Sequence, residues 1–115
     1  MRKFNNLDIK NSKLNKEIGI LICGHGSRNK LAIKEFETLA KCIKERFPSL
    51  RVEYGFLEFA KPSLTDGLEK LKRNSVKKVI AIPAMLFAAG HVKNDIPTVL
   101  MNFGRNNDIE ISYEE

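Results

Sequence analysis

The sequence contains only two histidines and two cysteines, and no apolar stretch near the length of a membrane span. A helix needs about 20 predominantly apolar residues to cross a bilayer, and the longest runs here fall well short. The N-terminus lacks the apolar segment of a secretory signal. Cys23 and Cys42 have neither metal-ligand nor redox spacing, and two thiols make no disulfide framework. A cytoplasmic, reducing location and the absence of a membrane partner are the expectations. Internal repeats and Gly/Ser/Pro-rich linkers are also missing, so the 115 residues form one domain at most. With 43% hydrophobic residues the chain can bury a modest core.

The net charge of +6 is uneven. Residues 1–16 hold five basic side chains (Arg2, Lys3, Lys10, Lys13, Lys16) and one acid, Asp8. That segment reads as a basic, disordered leader ahead of a single domain over 17–115. It has few aromatics and no amphipathic period, so a solvated tail is favoured over a nucleic-acid contact.

After residue 17 the pattern alternates strand and helix. Ile18–Cys23 is a nearly continuous apolar run, as in a strand buried on both faces. From about Asn29 to Phe47 apolar residues recur with helical spacing at Leu31, Ala32, Phe36, Leu39, Ala40, Ile43 and Phe47, with Pro48 just beyond. A second strand is expected over Arg51–Leu57. Ser63, just after Pro62, is the expected N-cap of a helix reaching Arg73. A third strand is expected over Val76–Ile82. Asp95 marks the next N-cap, with Pro97 in the first turn, and that helix is expected to stop at Gly104. A fourth strand is expected over Ile109–Tyr113. This β-α-β-α-β-α-β order predicts an α/β, flavodoxin-like three-layer fold with a four-stranded parallel sheet, for which 2-1-3-4 is the common strand order.

In such a sheet ligands bind beyond the carboxyl ends of the strands, where the strand order reverses. His25 follows strand one, His91 follows strand three, and Glu58 follows strand two. Two imidazoles and a carboxylate therefore share one sheet edge. Imidazole nitrogen suits Co, Ni, Fe and Zn. The glycines flanking His25 are expected to let a bulky ligand approach the backbone, and the following helix N-termini to attract carboxylates. Gly24-His25-Gly26-Ser27 is no P-loop, because the Lys-Ser/Thr pair is missing, and no dinucleotide fingerprint, because the third glycine is missing. Ser27 lies in no nucleophile elbow. Arg28 and Lys61 are either solvated charges or contacts for an anionic ligand. The run Met85-Leu86-Phe87-Ala88-Ala89 is apolar where a loop should be polar; it packs the core or faces a flat hydrophobic ring.

Three blocks together resemble the sirohydrochlorin cobaltochelatase family of class II chelatases. They are Gly24–Arg28, Phe56–Leu64 and Pro83–Pro97, and the resemblance spans residues 18 to about 104. It implies insertion of Co²⁺ into sirohydrochlorin during anaerobic cobalamin synthesis, with Fe²⁺ or Ni²⁺ insertion as the alternative. It implies that His25 and His91 bind the metal, that His25 also accepts a pyrrole proton, and that Glu58 is the acid beside the metal path. It implies substrate contacts from Lys61 and from Met85, Leu86, Phe87, Ala88, Ala89 and Gly90. Histidine suits the chemistry, being both a ligand and a base near neutral pH. No nucleotide is required. Long members carry two such halves and short members pair as homodimers; this chain carries one half and stops earlier than the short members do. A non-catalytic metal-binding half-domain and a metal-free partner-binding module are the competing readings.

Overall fold

The computed structural model describes residues 17–84 and 95–113. The leader over 1–16, His91 and the stretch Met85–Gly90 lie outside the described residues. Four parallel strands form one sheet in the order β2-β1-β3-β4, as the alternating pattern predicts. They are β1 (Ile18–Gly24), β2 (Arg51–Phe56), β3 (Lys78–Pro83) and β4 (Glu110–Tyr113). Three helices connect them: α1 (Lys30–Arg46), α2 (Leu64–Arg73) and α3 (Ile96–Asn107).

Strand β1 is central and all seven of its residues are buried, which explains its unbroken apolar run. Its side chains alternate between two cores. Ile18, Ile20 and Ile22 pack with Phe36 and Ala40 of α1 and with Val52 and Phe56 of β2. Leu21 and Cys23 pack on the opposite face with Leu64, Leu68 and Leu71 of α2 and Leu100 and Phe103 of α3. Helices thus cover both faces of the sheet. Among the described residues no helix is long and apolar enough to cross a membrane.

Local chemistry sets the helix starts. The Asn29 side-chain oxygen accepts from the N–H groups of Leu31 and Ala32, at 2.9 and 3.2 Å. Ser63 and Asp66 form a reciprocal capping box, each bond 3.0 Å long. The backbone N–H of Ser63 also holds the Asp66 carboxyl below its usual range. In α1 the buried stripe is Phe36 and Ala40 with partly buried Ile33 and Ile43. Leu31 lies outside it, 65% exposed.

Several element boundaries differ from the sequence pattern, and two of them have a local cause. Strand β3 begins at Lys78 because Val76 still bonds back to the Leu71 carbonyl of α2. Helix α3 runs through Gly104 to Asn107, and Asp108, in the left-handed region, caps it. Gly104 is there for packing: a Cβ would come within 2.8 Å of the Ile109 carbonyl oxygen. At the other end of α3 Asp95 is the N-cap, as expected, with Pro97 in the first turn; it makes no side-chain cap bond, and its backbone carbonyl accepts from Val99.

Burial predicts where stability resides. Leu68 is fully buried between α2 and β1. Leu68→Ala should cost about 2–5 kcal/mol in urea unfolding. Leu31→Ala should stay within about 0.5 kcal/mol of the parent. Equal losses in the two variants would contradict this division of the core.

Candidate metal-insertion site

The order reversal lies between β1 and β3, whose neighbouring crossovers run in opposite directions. Hydrogen bonding continues past the carboxyl ends of the strands on both sides of β1. The Leu57 N–H donates to the Gly24 carbonyl at 2.8 Å, and the Glu58 N–H donates to the His25 carbonyl at 3.0 Å. On the other flank the Ala84 N–H donates to the Cys23 carbonyl at 2.9 Å. The loop after β1 is therefore held between the start of the Glu58 loop and the start of the segment that leads to His91.

The glycines beside His25 act differently from the sequence expectation. At Gly24 a Cβ would sit 2.7 Å from the Phe36 ring, so aromatic packing fills that space. At Gly26, with φ of +98°, a Cβ would overlap the Glu58 carbonyl oxygen. The room they leave is taken by the protein itself, not by a ligand. Gly26 is the position that lets the His25 and Glu58 loops touch.

His25 is partly buried and Glu58 is exposed. The Nδ1 atom of His25 is enclosed, with no hydrogen-bond partner among the described residues. An enclosed, unpaired polar nitrogen costs roughly 1–3 kcal/mol, which makes it the unsatisfied atom of this edge. Other candidates have structural duties. Ser27 Oγ accepts from the Asn29 N–H at 3.0 Å, which shapes the entry to α1. Cys23 points into the core, and burial pushes its thiol up to about 12, so it offers no thiolate near neutral pH. Among the described residues no three His, Cys, Asp or Glu side chains cluster as a ready metal cage. Lys61 is exposed and lines a cleft of about 520 Å³ with Pro62, Asp66 and Arg73 along α2; this places its side chain beside the start of α2.

The loop from Glu58 to Ser63 holds a feature that the sequence did not signal. Phe59 is 57% exposed and has φ of +68°. The Arg28 guanidinium lies over its ring, 4.7 Å from the centroid. The Lys61–Pro62 peptide that follows is cis, and the Pro62 carbonyl accepts from the Phe56 N–H at 2.9 Å. Holding a bulky residue in the left-handed region costs on the order of 1–3 kcal/mol. An exposed cation–π contact returns about 0.5–1 kcal/mol. The contact with Arg28 does not by itself account for this conformation.

Residues 19–115 match the family model described as CbiX. The chain is 42% identical over 87 residues to the sirohydrochlorin cobaltochelatase of Sulfurisphaera tokodaii, covering 71% of this chain and 67% of that protein. It is 32% identical over 104 residues to the enzyme of the same name from Methanococcoides burtonii, covering 88% and 77%. Its structure is similar to the sirohydrochlorin chelatase SirB of Bacillus subtilis subspecies spizizenii, solved in complex with cobalt. That match has a TM-score of 0.75 and 31% identity, and covers 86% of this chain and 43% of SirB.

If Gly26 is what joins the two loops, Gly26→Ala must separate them. The Glu58 amide should then exchange with deuterium about tenfold faster or more, while α3 amides keep their protection. Unchanged exchange at Glu58 would show that the loops meet for another reason.

Proposed function

The chain belongs to the CbiX family, and from that membership we propose that it inserts Co²⁺ into sirohydrochlorin. The observation that carries the proposal to particular atoms is the enclosed, unpartnered Nδ1 of His25 at the switch-point edge. Relatives named sirohydrochlorin cobaltochelatase support the reaction and its substrate.

Insertion exchanges the water around a divalent ion for four ring nitrogens and releases two N–H protons. His25 serves both tasks: the imidazole is a borderline ligand for Co²⁺, and once it gives up the metal it accepts a pyrrole proton. His91 is the second metal ligand; it follows β3, next to β1. Glu58, tied to His25 through the backbone, supplies a carboxylate that attracts the incoming cation and relays released protons toward solvent. Lys61 meets a carboxylate on the macrocycle rim, and Met85, Leu86, Phe87, Ala88, Ala89 and Gly90 offer an apolar face to the flat ring. The reaction uses the metal as substrate and needs no nucleotide. Two copies of the chain pair as a homodimer, and the protein works in the cytoplasm without nucleic acid or membrane.

The test is anaerobic turnover, followed by the absorbance change when sirohydrochlorin takes up the metal. Co²⁺, Ni²⁺ and Fe²⁺ are compared, and solution mass is measured on the same samples. His25→Ala and His91→Ala should each lower the cobalt rate about 100-fold or more with the thermal midpoint unchanged. A His25→Ala variant that inserts cobalt at the parent rate would overturn its role as ligand and base.

A further inference from the structure

We propose that Phe59 and Arg28 form a platform at the rim of the site that seats the tetrapyrrole, with Phe59 as the positioning residue. The proposal rests on the chelatase reading and extends it to side chains that the reading does not use.

Three residues other than glycine have a left-handed φ among the described residues: Phe59, Ser75 and Asp108. Ser75 and Asp108 are small or polar and follow the ends of α2 and α3, where such a conformation is ordinary. Phe59 is bulky, follows no helix, and belongs to neither hydrophobic core. The fold would accept glycine or asparagine there at less cost. Backbone bonds on either side fix the position: the Glu58 N–H to His25, and the Phe56 N–H to Pro62. The result is an aromatic ring, 57% exposed, one residue from Glu58 and its bond to His25.

Its partner is a planar cation that complements it. The Arg28 guanidinium lies over the ring, 4.7 Å from its centroid. A flat conjugated ring edged with carboxylates needs an apolar stacking surface and a fixed planar cation. The Phe59 ring supplies the first. The guanidinium, held by stacking, supplies the second and pairs with a carboxylate through two parallel hydrogen bonds. A solvated arginine on a surface loop would need neither the exposed ring nor the left-handed backbone.

The experiment uses Phe59→Gly and Phe59→Asn, which suit the backbone but remove the ring, together with Arg28→Gln. Cobalt insertion is measured with sirohydrochlorin and Co²⁺ varied separately, alongside thermal unfolding and solution mass. The expected result is a thermal midpoint no lower than the parent's for Phe59→Gly. KM for sirohydrochlorin should rise about tenfold, with kcat and the KM for Co²⁺ within about twofold. Adding Arg28→Gln to Phe59→Gly should raise KM by less than Arg28→Gln does in the parent, because the two act as one unit. A KM for sirohydrochlorin unchanged in Phe59→Gly, in a parent that turns over normally, would overturn the platform alone. A change in solution mass without a change in KM would overturn it in favour of a contact with a second copy. Failure of the parent to insert cobalt would overturn the chelatase reading first.

Discussion

The Glu58 carbonyl oxygen occupies the space that any side chain at residue 26 would need. That single close approach joins the loops that follow β1 and β2. It makes the backbone of the histidine and the backbone of the acid one hydrogen-bonded unit. Without it the two loops would leave the sheet independently, each with its own freedom. With it, His25 is set by the rigid central strand and Glu58 is set by His25. The left-handed φ at Gly26 is the local condition for the contact.

The packing beneath supports this arrangement. A strand buried along its whole length forms the floor. The Phe36 and Phe56 rings, 4.7 Å apart, close the space under Gly24. On the other face Gly67 of α2 lets the helix approach Leu21 and the Tyr54 carbonyl, which brings the helix that starts after the Phe59 loop down onto the sheet. Apolar burial in two layers thus fixes the base of the site, and backbone bonds at the strand ends fix its rim. The chemistry requires a metal ligand that can also take a proton, and the chain places one of its two histidines at the point where both constraints meet.

Much of this was legible in the sequence because periodicity reports burial. The unbroken run Ile18–Cys23 read as a strand buried on both faces, and Ser63 read as a cap, which the structure completes with Asp66. Alternation of the elements read as a parallel sheet, and the order common to such sheets brought His25 and Glu58 to one edge. What the sequence concealed was local and tertiary. Gly104 has the composition of a helix stop, yet it is a packing position against Ile109. Gly26 read as an opening for a ligand, whereas the protein's own carbonyl fills it. Phe59 gave no signal at all, because a left-handed φ in a phenylalanine is imposed by the bonds on either side of it, not by its own preference.

In the proposed reaction the clasped loops present His25 to the metal. X-ray absorption on the Co²⁺-loaded protein tests it most directly, because imidazole carbons beyond the first coordination sphere scatter with a recognisable pattern. This pattern should be present in the parent, weakened in His25→Ala, and retained in Leu31→Ala. An identical imidazole signal in the parent and in His25→Ala would contradict it.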